Sequence, residues 1–354
     1  MKILYIANIR LPTEKAHGLQ IMKTCEALAR KGIQVELVVP GRKTHIQESA
    51  FEYYDVEDNF TITKLGTPDW VGIKISTILS QTLFSLAVFF RKSFWKANVI
   101  YSRDAGVLLW YLLLGRKLVY EAHTKPTRIS LFVAKRVPAL IVISGGLQDA
   151  YSSLGISKKK ITIAHDAIDP GPFQNDYDQK EARAWLGIPQ DKKVALYVGK
   201  IDEAKGAYTF AASSEHLPEE IIVVLIGPES PLKDSLKIMY PKALFLPEMP
   251  YKELPRVLAI GDILVLPNSA KDEDASKYTS PLKAFAYMAT GKPIIASGVS
   301  ALREILENKA VFFIPDDAWS LSQKIIIQPK IKFAYEQHTW NDRAETIQAS
   351  IASL

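Results

Sequence analysis

A chain of 354 residues, 48% hydrophobic and 23% charged, has a globular composition and enough length for two ordinary α/β domains. A formal net charge of +6 suits phosphorylated small molecules or anionic lipid, and it is too modest to indicate a nucleic-acid-binding protein. The single cysteine, Cys25, excludes a disulfide framework and a thiolate metal site. Because no signal-peptide pattern follows Met1, these features together predict a cytoplasmic protein.

The first half of the sequence alternates between predicted strands and predicted helices. Strands are predicted at 2–7, 33–39, 61–65, 98–101, 117–120, 140–143 and 161–164, and helices at 18–30, 73–90 and 106–114. This alternation is typical of a parallel sheet whose ligands bind beyond the carboxyl ends of its strands. Arg103, Asp104 and His123 follow such ends and are therefore candidate site residues. His17, in the long loop after the first strand, is either a ligand contact or a solvated histidine.

The apolar segment 73–90 has two interpretations. Polar residues such as Ser80 and Gln81 interrupt it, which excludes a membrane span and favours a helix packed on the sheet. Its flanks carry the basic and tryptophan residues Trp70, Lys74, Arg91, Lys92, Trp95 and Lys96. That pattern also fits a helix lying on an anionic membrane, and it predicts peripheral contact with the inner membrane face.

The second half begins where the run 170–172, Pro-Gly-Pro, breaks the alternation, so a domain boundary is predicted at 170. Further strands are predicted at 194–198, 220–226, 244–246, 262–266 and 294–296. Lys200 and Lys205 lie among glycines between the first of these strands and a helix. Such residues form either a diphosphate clamp or a solvated βα loop, and spacing alone does not separate the two.

The stretch 278–297 predicts an exposed turn, a helix and a buried strand. Ser280 is predicted to cap the helix, with Pro281 at its first position and Gly291 after its end. Free backbone N–H groups at this helix start could bind an anion, although many α/β helices share the pattern. The sequence contains no P-loop, GxGxxG, HExxH or cysteine–histidine metal motif.

The residue identities in several segments are more informative about the protein family than the hydrophobic pattern of those segments. SPLK, followed by Tyr-Met-Ala and GKPI, resembles the donor-site helix of the GT-B glycosyltransferases of family 4, also called group 1. HGLQ, VYEAH, VGKIDEAKG and WNDRA resemble further segments of that family in the same order. The resemblance implies two Rossmann-like, doubly wound parallel α/β domains that face a cleft. It divides the chain into an acceptor domain at 1–169, a nucleotide-sugar domain at 170–335 and a terminal helix at 336–354 that crosses back to the first domain.

This resemblance implies a retaining glycosyltransferase that moves a sugar from a nucleotide diphosphate sugar, such as a UDP- or GDP-sugar, to a glycan or lipid-linked acceptor. His123 would orient the sugar. Lys200, at the family's usual arginine position, and Lys205 would neutralise the diphosphate, so no metal ion is expected. The other implied donor-binding positions are Gly18, Gly199, Gly227, Asn268, Tyr278, Thr279, Ser280, Pro281, Leu282 and Ala286. The acceptor-side candidates are His17, Arg103 and Asp104.

Ala286 departs from the family pattern, in which two glutamates lie eight positions apart. The first falls at Tyr278, a change that relatives with the SPLK wording share, and the second falls at Ala286. A carboxylate bound to ribose hydroxyls contributes about 1.5–3 kcal/mol, so its loss weakens donor binding roughly tenfold to a hundredfold. Three explanations stay open: another side chain such as Asn268 holds the ribose, activity has been lost, or the residue was engineered.

Three alternatives to an active transferase follow. A catalytically impaired GT-B subunit could bind a partner enzyme or a nucleotide sugar. A sugar-nucleotide epimerase shares the GT-B architecture, but the SPLK helix and the lysine-glycine loop count against it. A nicotinamide-dependent enzyme is the least favoured, because the glycine fingerprint is missing.

Overall fold

The computed structural model describes residues 1–66, 74–175, 177–327, 335 and 338–354. The chain divides into two units, Met1–Asp166 together with Trp340–Leu354, and Ala167–Thr339. The division therefore falls between Asp166 and Ala167, three residues before the predicted boundary at 170. Trp70, one of the residues expected to flank an interfacial helix, lies outside the described residues.

Within its described residues, the first unit contains a parallel sheet of seven strands. They are β1 (Lys2–Ile6), β2 (Gln34–Pro40), β3 (Thr61–Leu65), β4 (Val99–Ser102), β5 (Leu118–Ala122), β6 (Ala139–Val142) and β7 (Ile161–Ile163), in the order β3-β2-β1-β4-β5-β6-β7. Most of these strands are buried along their length, as expected for a parallel sheet covered on both faces. The strand order reverses between β1 and β4, so the loops that follow these two strands diverge and leave a crevice at the sheet edge.

The helices of the first unit, apart from the terminal one, are α1 (Ala16–Arg30), α2 (Ala50–Tyr54), α3 (Lys74–Phe89), α4 (Lys92–Lys96), α5 (Ala105–Leu109), α6 (Arg128–Arg136) and α7 (Gly145–Ser153). Two predicted helix bounds in this unit differ from the structure by more than one residue. The first helix begins at Ala16 rather than Gly18, and α5 ends at Leu109 rather than at 114. After Leu109 the chain forms tighter turns, in which Leu114 N bonds Tyr111 O, three residues back.

The described part of the second unit contains a second parallel sheet, of six strands. They are β8 (Lys193–Val198), β9 (Ile221–Ile226), β10 (Leu244–Leu246), β11 (Ile263–Leu266), β12 (Ile294–Ser297) and β13 (Val311–Phe313), in the order β10-β9-β8-β11-β12-β13. The helices are α8 (Gln179–Trp185), α9 (Ala207–Ser213), α10 (Pro231–Met239), α11 (Leu254–Ala259), α12 (Leu282–Ala289), α13 (Ser300–Leu306) and α14 (Ala318–Ile327). Two apolar clusters, which take alternating residues of β8, cover the two faces of this sheet.

The helix expected at the donor site is α12, and its start differs from the prediction. The residue that precedes the helix is Pro281, with an extended ψ of 116°, and no side chain caps the helix, so the predicted cap by Ser280 is wrong. The helix begins at Leu282, one residue later than predicted, so Pro281 occupies the cap position, and a proline side chain has no oxygen with which to cap the helix. The polar loop expected before it contains a turn of π-helix at Asp274–Tyr278.

The terminal helix α15 (Trp340–Ala352) belongs to the first unit and packs against α1. Trp340 is buried at its start, and Arg343 is buried one turn later. Residues 336–337, with which the terminal segment was predicted to begin, lie outside the described residues. Among the helices that the structure describes, none has the length and hydrophobicity required to cross a bilayer.

Candidate functional site

The first unit holds a buried carboxylate, Glu121, near the carboxyl end of β5. Gln20 Nε2 and Arg343 NH2 donate to its Oε1 at 2.9 and 2.6 Å, and the Tyr101 hydroxyl donates to its Oε2. His123 Nε2 also contacts Oε1. Burial alone would raise the pKa of Glu121, but Arg343 and His123 hold it well below the ordinary value. Glu121 is therefore ionised and only accepts hydrogen bonds.

His123 lies just beyond the end of β5, with 15% of its side chain exposed. Burial, with Arg103 nearby, lowers the pKa of His123 to about 4, so its imidazole is neutral at pH 7. Because ionised Glu121 cannot donate, the proton of the neutral ring lies on Nε2 and Nδ1 carries a lone pair. His123 thus presents a hydrogen-bond acceptor at the edge of the sheet.

Two other predicted residues meet His123 at this edge. Arg103, after β4, donates to Gln20 Oε1 at 2.7 Å, and Gln20 in turn donates to Glu121. His17, in the first turn of α1, has a pKa lowered to about 4 by burial and by the nearby Arg103. The start of α1 and the ends of β4 and β5 therefore bring His17, Arg103 and His123 together.

Asp104 and Gly18 have structural partners within the first unit. Asp104 Oδ2 accepts from the backbone N of Asn8 at 2.8 Å, which fastens the loop after β1. At Gly18 a Cβ would lie 2.1 Å from the hydroxyl oxygen of Tyr54. That hydroxyl bonds both the backbone N and O of Thr13, at 2.8 and 2.6 Å. Glycine is thus required here to let Tyr54 hold the loop that leads into α1 and to His17.

In the second unit, three glycines bring the ends of β8, β9 and β11 close together. A Cβ at Gly227, which follows β9, would lie 2.1 Å from the carbonyl oxygen of Gly199, which follows β8. A Cβ at Gly206 would lie 1.9 Å from the carbonyl oxygen of Pro267, after β11. Gly199 and Gly206 also adopt φ values of +140° and +70°. These contacts leave no room for side chains and shape the loop that carries the two predicted lysines.

That loop brings the predicted Lys200 and Lys205 to one edge of the sheet. Lys200 is 73% exposed, and its Nζ lies 3.0 Å from Asp202 Oδ2. The backbone N of Lys205 donates to Asp202 Oδ1 at 2.8 Å, which fixes the loop before α9. Both cations follow the carboxyl end of β8, where ligands of such sheets bind.

Sequence reasoning missed a third cation, Lys283, in the first turn of α12. Its Nζ donates to the Tyr197 hydroxyl at 2.7 Å and lies 4.2 Å from the centre of the Tyr197 ring. Burial is the main reason why the pKa of Lys283 is lowered to about 7, and the nearby charge of Lys205 contributes to the same shift. A Cβ added at Gly199 would lie only 2.7 Å from the Nζ of Lys283, so the lysine ammonium packs against this glycine. The SPLK segment contained the signal, because it places a lysine in the first turn of a helix at the ligand-binding edge of the sheet.

The predicted donor residues of the second unit lie at strand ends, before or at the start of α12, or buried in the interior. Gly199, Lys200, Lys205 and Gly227 lie at the ends of β8 and β9, and Thr279 to Leu282 lead into α12. Tyr278, partly exposed, contacts Glu273 through its hydroxyl at 3.1 Å. Asn268 and Ala286 are buried. Asn268 Nδ2 faces the carbonyl of Ala275 at 3.4 Å, and Ala286 lies in the apolar core between the sheet and its helices.

In the part of the chain that the structure describes, no group of three His, Cys, Asp or Glu side chains could hold a metal ion. The loop after β8 and the first turn of α12 contribute lysines. The arrangement offers positive charge and backbone N–H groups for an anion in the second unit, and a neutral imidazole acceptor in the first.

Two family models match the sequence. The model described as Glycosyltransferase Family 4 matches residues 18–171, and that described as Glycosyl transferases group 1 matches residues 192–327. A D-inositol 3-phosphate glycosyltransferase from Mycobacterium leprae is 31% identical over 153 residues, which is 40% of this chain and 34% of that protein. The chain thus spans about a third of the length of the curated relatives it matches.

Solved structures of similar fold cover the whole chain. Sucrose-phosphate synthase from Thermosynechococcus elongatus has a TM-score of 0.74 at 18% identity, over 100% of this chain and 94% of that chain. HepE from Anabaena, crystallised with UDP and glucose, has a TM-score of 0.71 at 14% identity, over 100% and 95%. These identities show the fold alone, which is GT-B. The two family matches, which together cover most of the chain, show that it belongs to the group 1 glycosyltransferases, glycosyltransferase family 4.

Proposed function

We propose that this protein is a retaining glycosyltransferase that moves a sugar from a nucleotide diphosphate sugar to a glycan or lipid-linked acceptor. The observation that carries the proposal is the placement of Lys200, Lys205 and Lys283 around Gly199 at the carboxyl end of β8. A departing nucleoside diphosphate gains negative charge in the transition state, and fixed cations stabilise that charge more than they stabilise the bound substrate.

The donor diphosphate is proposed to lie against these lysines and the N–H groups at the start of α12. Cations and helix N–H groups supply the charge that a metal ion provides elsewhere, so transfer is expected to continue in the presence of a chelator. Of the expected UDP- and GDP-sugars we favour a UDP-sugar, because HepE, a protein of the same fold, was crystallised with UDP.

His123 is proposed to accept a hydrogen bond from a hydroxyl of the transferred sugar through Nδ1. Its low pKa excludes a role as general acid at neutral pH, since the ring carries a single proton, which Glu121 engages. The family resemblance supports a mechanism in which the leaving phosphate deprotonates the acceptor from the same face, and such a mechanism retains the anomeric configuration.

A second proposal concerns where the acceptor lies. The first unit exposes large apolar side chains on α3 and just after it, on α4 and in the segment after α5. We call this set the aromatic surface: Leu86, Phe90, Trp95, Trp110 and Leu113. Arg91, Lys92 and Lys96 lie beside it in the sequence. Exposed aromatic residues flanked by basic ones suit the interface of an anionic membrane. We therefore propose peripheral membrane contact, which would place the first unit beside a lipid-linked acceptor.

A catalytically impaired subunit that binds a nucleotide sugar is the second candidate function, and Ala286 is the observation that favours it. Ala286 is 2% exposed within an apolar core, so in this chain no carboxylate reaches a ribose from that position. Binding without transfer would support this candidate, and restoration of transfer by Ala286→Glu would trace the loss to that residue.

Calorimetric titration with UDP-, GDP- and ADP-sugars, paired with an assay of sugar transfer, tests the proposal. One donor should bind. Lys205→Met and Lys283→Met should each weaken it about tenfold to a hundredfold, because a charge-assisted hydrogen bond contributes roughly 1.5–3 kcal/mol. The matched control is Lys242→Met, which removes an exposed lysine paired with Glu215 in the same unit.

The product of sugar transfer should have the same anomeric configuration as the donor. The proposal is wrong if no nucleotide sugar binds, or if Lys242→Met weakens binding as much as the other two changes.

A further inference from the structure

The cluster around Glu121 includes one residue far from the others in sequence, Arg343 of the terminal helix α15. We propose that Arg343 is a positioning residue: through Glu121 it fixes the tautomer and orientation of the His123 ring. This inference rests on the proposed function in one respect, that a hydroxyl of the transferred sugar donates a hydrogen bond to His123. The assignment adds α15, distant in sequence from every other residue of the cluster, to the machinery of the site.

The guanidinium of Arg343 is fixed by several partners. The side chain is buried, and its NH2 donates to Glu121 Oε1 at 2.6 Å. NH1 donates to the carbonyl of His165 at 2.7 Å and to that of Ala164, just after β7. Nε faces Thr24 Oγ1 of α1 at 3.4 Å. A planar fork held by carbonyls on one side can hold a carboxylate on the other in a single orientation.

Glu121 transmits this orientation to His123. Its Oε1 accepts from both Arg343 and His123 Nε2, so the guanidinium and the imidazole bind one oxygen. While Arg343 neutralises the carboxylate, His123 needs to contribute only a neutral N–H, and Nδ1 keeps its lone pair. Without Arg343 the buried carboxylate loses its main counter-charge, and such a charge is costly unless another cation replaces it.

The nearest replacement is His123 itself, in its protonated form. The charged groups that face His123 are Arg103, Glu121 and Arg343, and Asp166 faces Arg343 and Glu121 from the segment after β7. Both arginines disfavour an imidazolium, and Glu121 favours it. Removing Arg343 therefore favours protonation of Nδ1. This atom would change from acceptor to donor and could no longer accept from a sugar hydroxyl.

The experiment is ¹⁵N NMR of histidine-labelled full-length protein, which reports the tautomer and charge of each imidazole. His123→Asn assigns the resonance. In the unmodified chain His123 should be neutral with the proton on Nε2 from pH 5 to pH 8. In Arg343→Met it should become protonated near neutral pH, while in Arg343→Lys, which keeps the charge but not the fork, the resonance should shift part of the way.

Two controls separate positioning from the mere attachment of α15. Glu345→Gln removes the ion pair between α15 and Lys31, just after α1, but does not touch Glu121, so the His123 resonance should not move. In the transfer assay, Arg343→Met should lower kcat at least tenfold. The double variant with His123→Asn should be no slower than His123→Asn alone, because both changes remove the same acceptor.

An unchanged His123 tautomer in folded Arg343→Met overturns the proposal, as do additive effects of the two substitutions on kcat. If Arg343→Met does not fold, Arg343→Lys carries the test, since it keeps the charge but removes the fork that is proposed to hold Glu121 in one orientation. The NMR result does not depend on turnover. An unmodified chain with no transfer activity, together with the expected change of His123 in Arg343→Met, would therefore count against the proposed function and would still support the positioning role.

Discussion

Lys283 has the least ordinary environment of the proposed donor-binding residues. It is held against the hydroxyl and ring of Tyr197, and the cation Lys205 is close enough to affect its titration. Burial lowers its pKa to about 7, so near neutral pH a substantial fraction of the side chain is uncharged. A bound diphosphate favours the ammonium form, and binding must therefore be coupled to proton uptake.

Donor affinity should consequently fall as the pH rises. At pH 6 most Lys283 side chains carry a charge before the donor arrives, whereas at pH 8 most must take up a proton, so the affinity should fall about tenfold between these values. A nucleotide diphosphate sugar is the proper titrant, because its diphosphate diester has no ionisation near neutrality. Isothermal titration calorimetry in buffers of different ionisation enthalpy would measure both the affinity and the proton uptake.

Two variants define the control for this pH dependence. Lys283→Arg stays charged over the whole range and should bind with little dependence on pH, and Lys283→Met should bind weakly at every pH. A full pH dependence retained in Lys283→Met would assign the titration to another group and contradict the prediction.

At the residue scale, spacing in the sequence could identify site residues only where those residues are close to one another along the chain. Lys200 and Lys205 could be predicted because a strand end, glycines and a helix start follow one another in sequence. Lys283 is 78 positions beyond Lys205, and its approach to Tyr197 depends on how α12 packs against β8. The burial of Ala286 depends equally on tertiary packing, so the sequence could show only which residue was missing there.

At the scale of elements, the loop between β8 and α9 is determined by backbone contacts. Gly206 precedes α9 with φ near +70°, and a side chain there would strike the carbonyl of Pro267. The conformation itself is strained for other residues by about 1–2 kcal/mol, and the clash adds to it. Because the neighbouring residue is Lys205, the same glycine also determines where that lysine lies.

Gly206→Ala should therefore destabilise the protein by more than the conformational strain, by about 2 kcal/mol or more. Gly187 provides a matched control in the same unit, because it has φ near +67° but a Cβ added there would meet nothing within 4 Å. The free energies of unfolding of Gly206→Ala and Gly187→Ala, from denaturant titration, give the cost of the clash by difference. Equal losses in the two variants would mean that the approach of Pro267 carries no energetic weight.

Element types could be predicted better than element ends. The strands followed from apolar runs bounded by glycine, proline and charge, whereas β13, a three-residue edge strand, gave no pattern. The start of α12 was misplaced because Ser-Pro fits a cap as well as an extended lead-in, and only the packed chain selects between them. The end of α5 was misplaced because an apolar run continues through residues 110–114 with no helix-stopping residue before Gly115.

At the scale of the whole molecule, the cluster around Glu121 shows what sequence could not supply. Its members come from α1, β4, β5 and α15, and the contact of Arg343 with Glu121 joins positions 222 residues apart. The sheet predicts that strand ends meet at one edge, so Arg103 and His123 could be selected as candidates. No pattern in the sequence indicates that an arginine of the terminal helix neutralises a carboxylate between them.

The aromatic surface gives the last prediction, at the scale of the whole molecule. Phe90 and Leu113 are 79% and 96% exposed, so their burial in a membrane interface would remove apolar area from water at about 25 cal/mol per Å². Each nearby lysine adds roughly 1 kcal/mol on an anionic bilayer. The protein should therefore sediment with anionic phospholipid vesicles at low salt, and it should bind zwitterionic vesicles more weakly.

Two sets of substitutions test which surface is responsible. Lys92→Gln with Lys96→Gln should reduce vesicle binding roughly thirtyfold and should weaken its salt dependence. Trp95→Ser with Phe90→Ser should reduce binding to both kinds of vesicle, because the apolar contribution does not require lipid charge. Trp319→Ser is the control, since Trp319 is also exposed, at 59%, but lies in the second unit.

Two results would contradict membrane contact by the first unit. The control could lose as much binding as the double serine variant, or the unmodified protein could fail to bind anionic vesicles at low salt. The aromatic surface would then have to be explained by a protein partner.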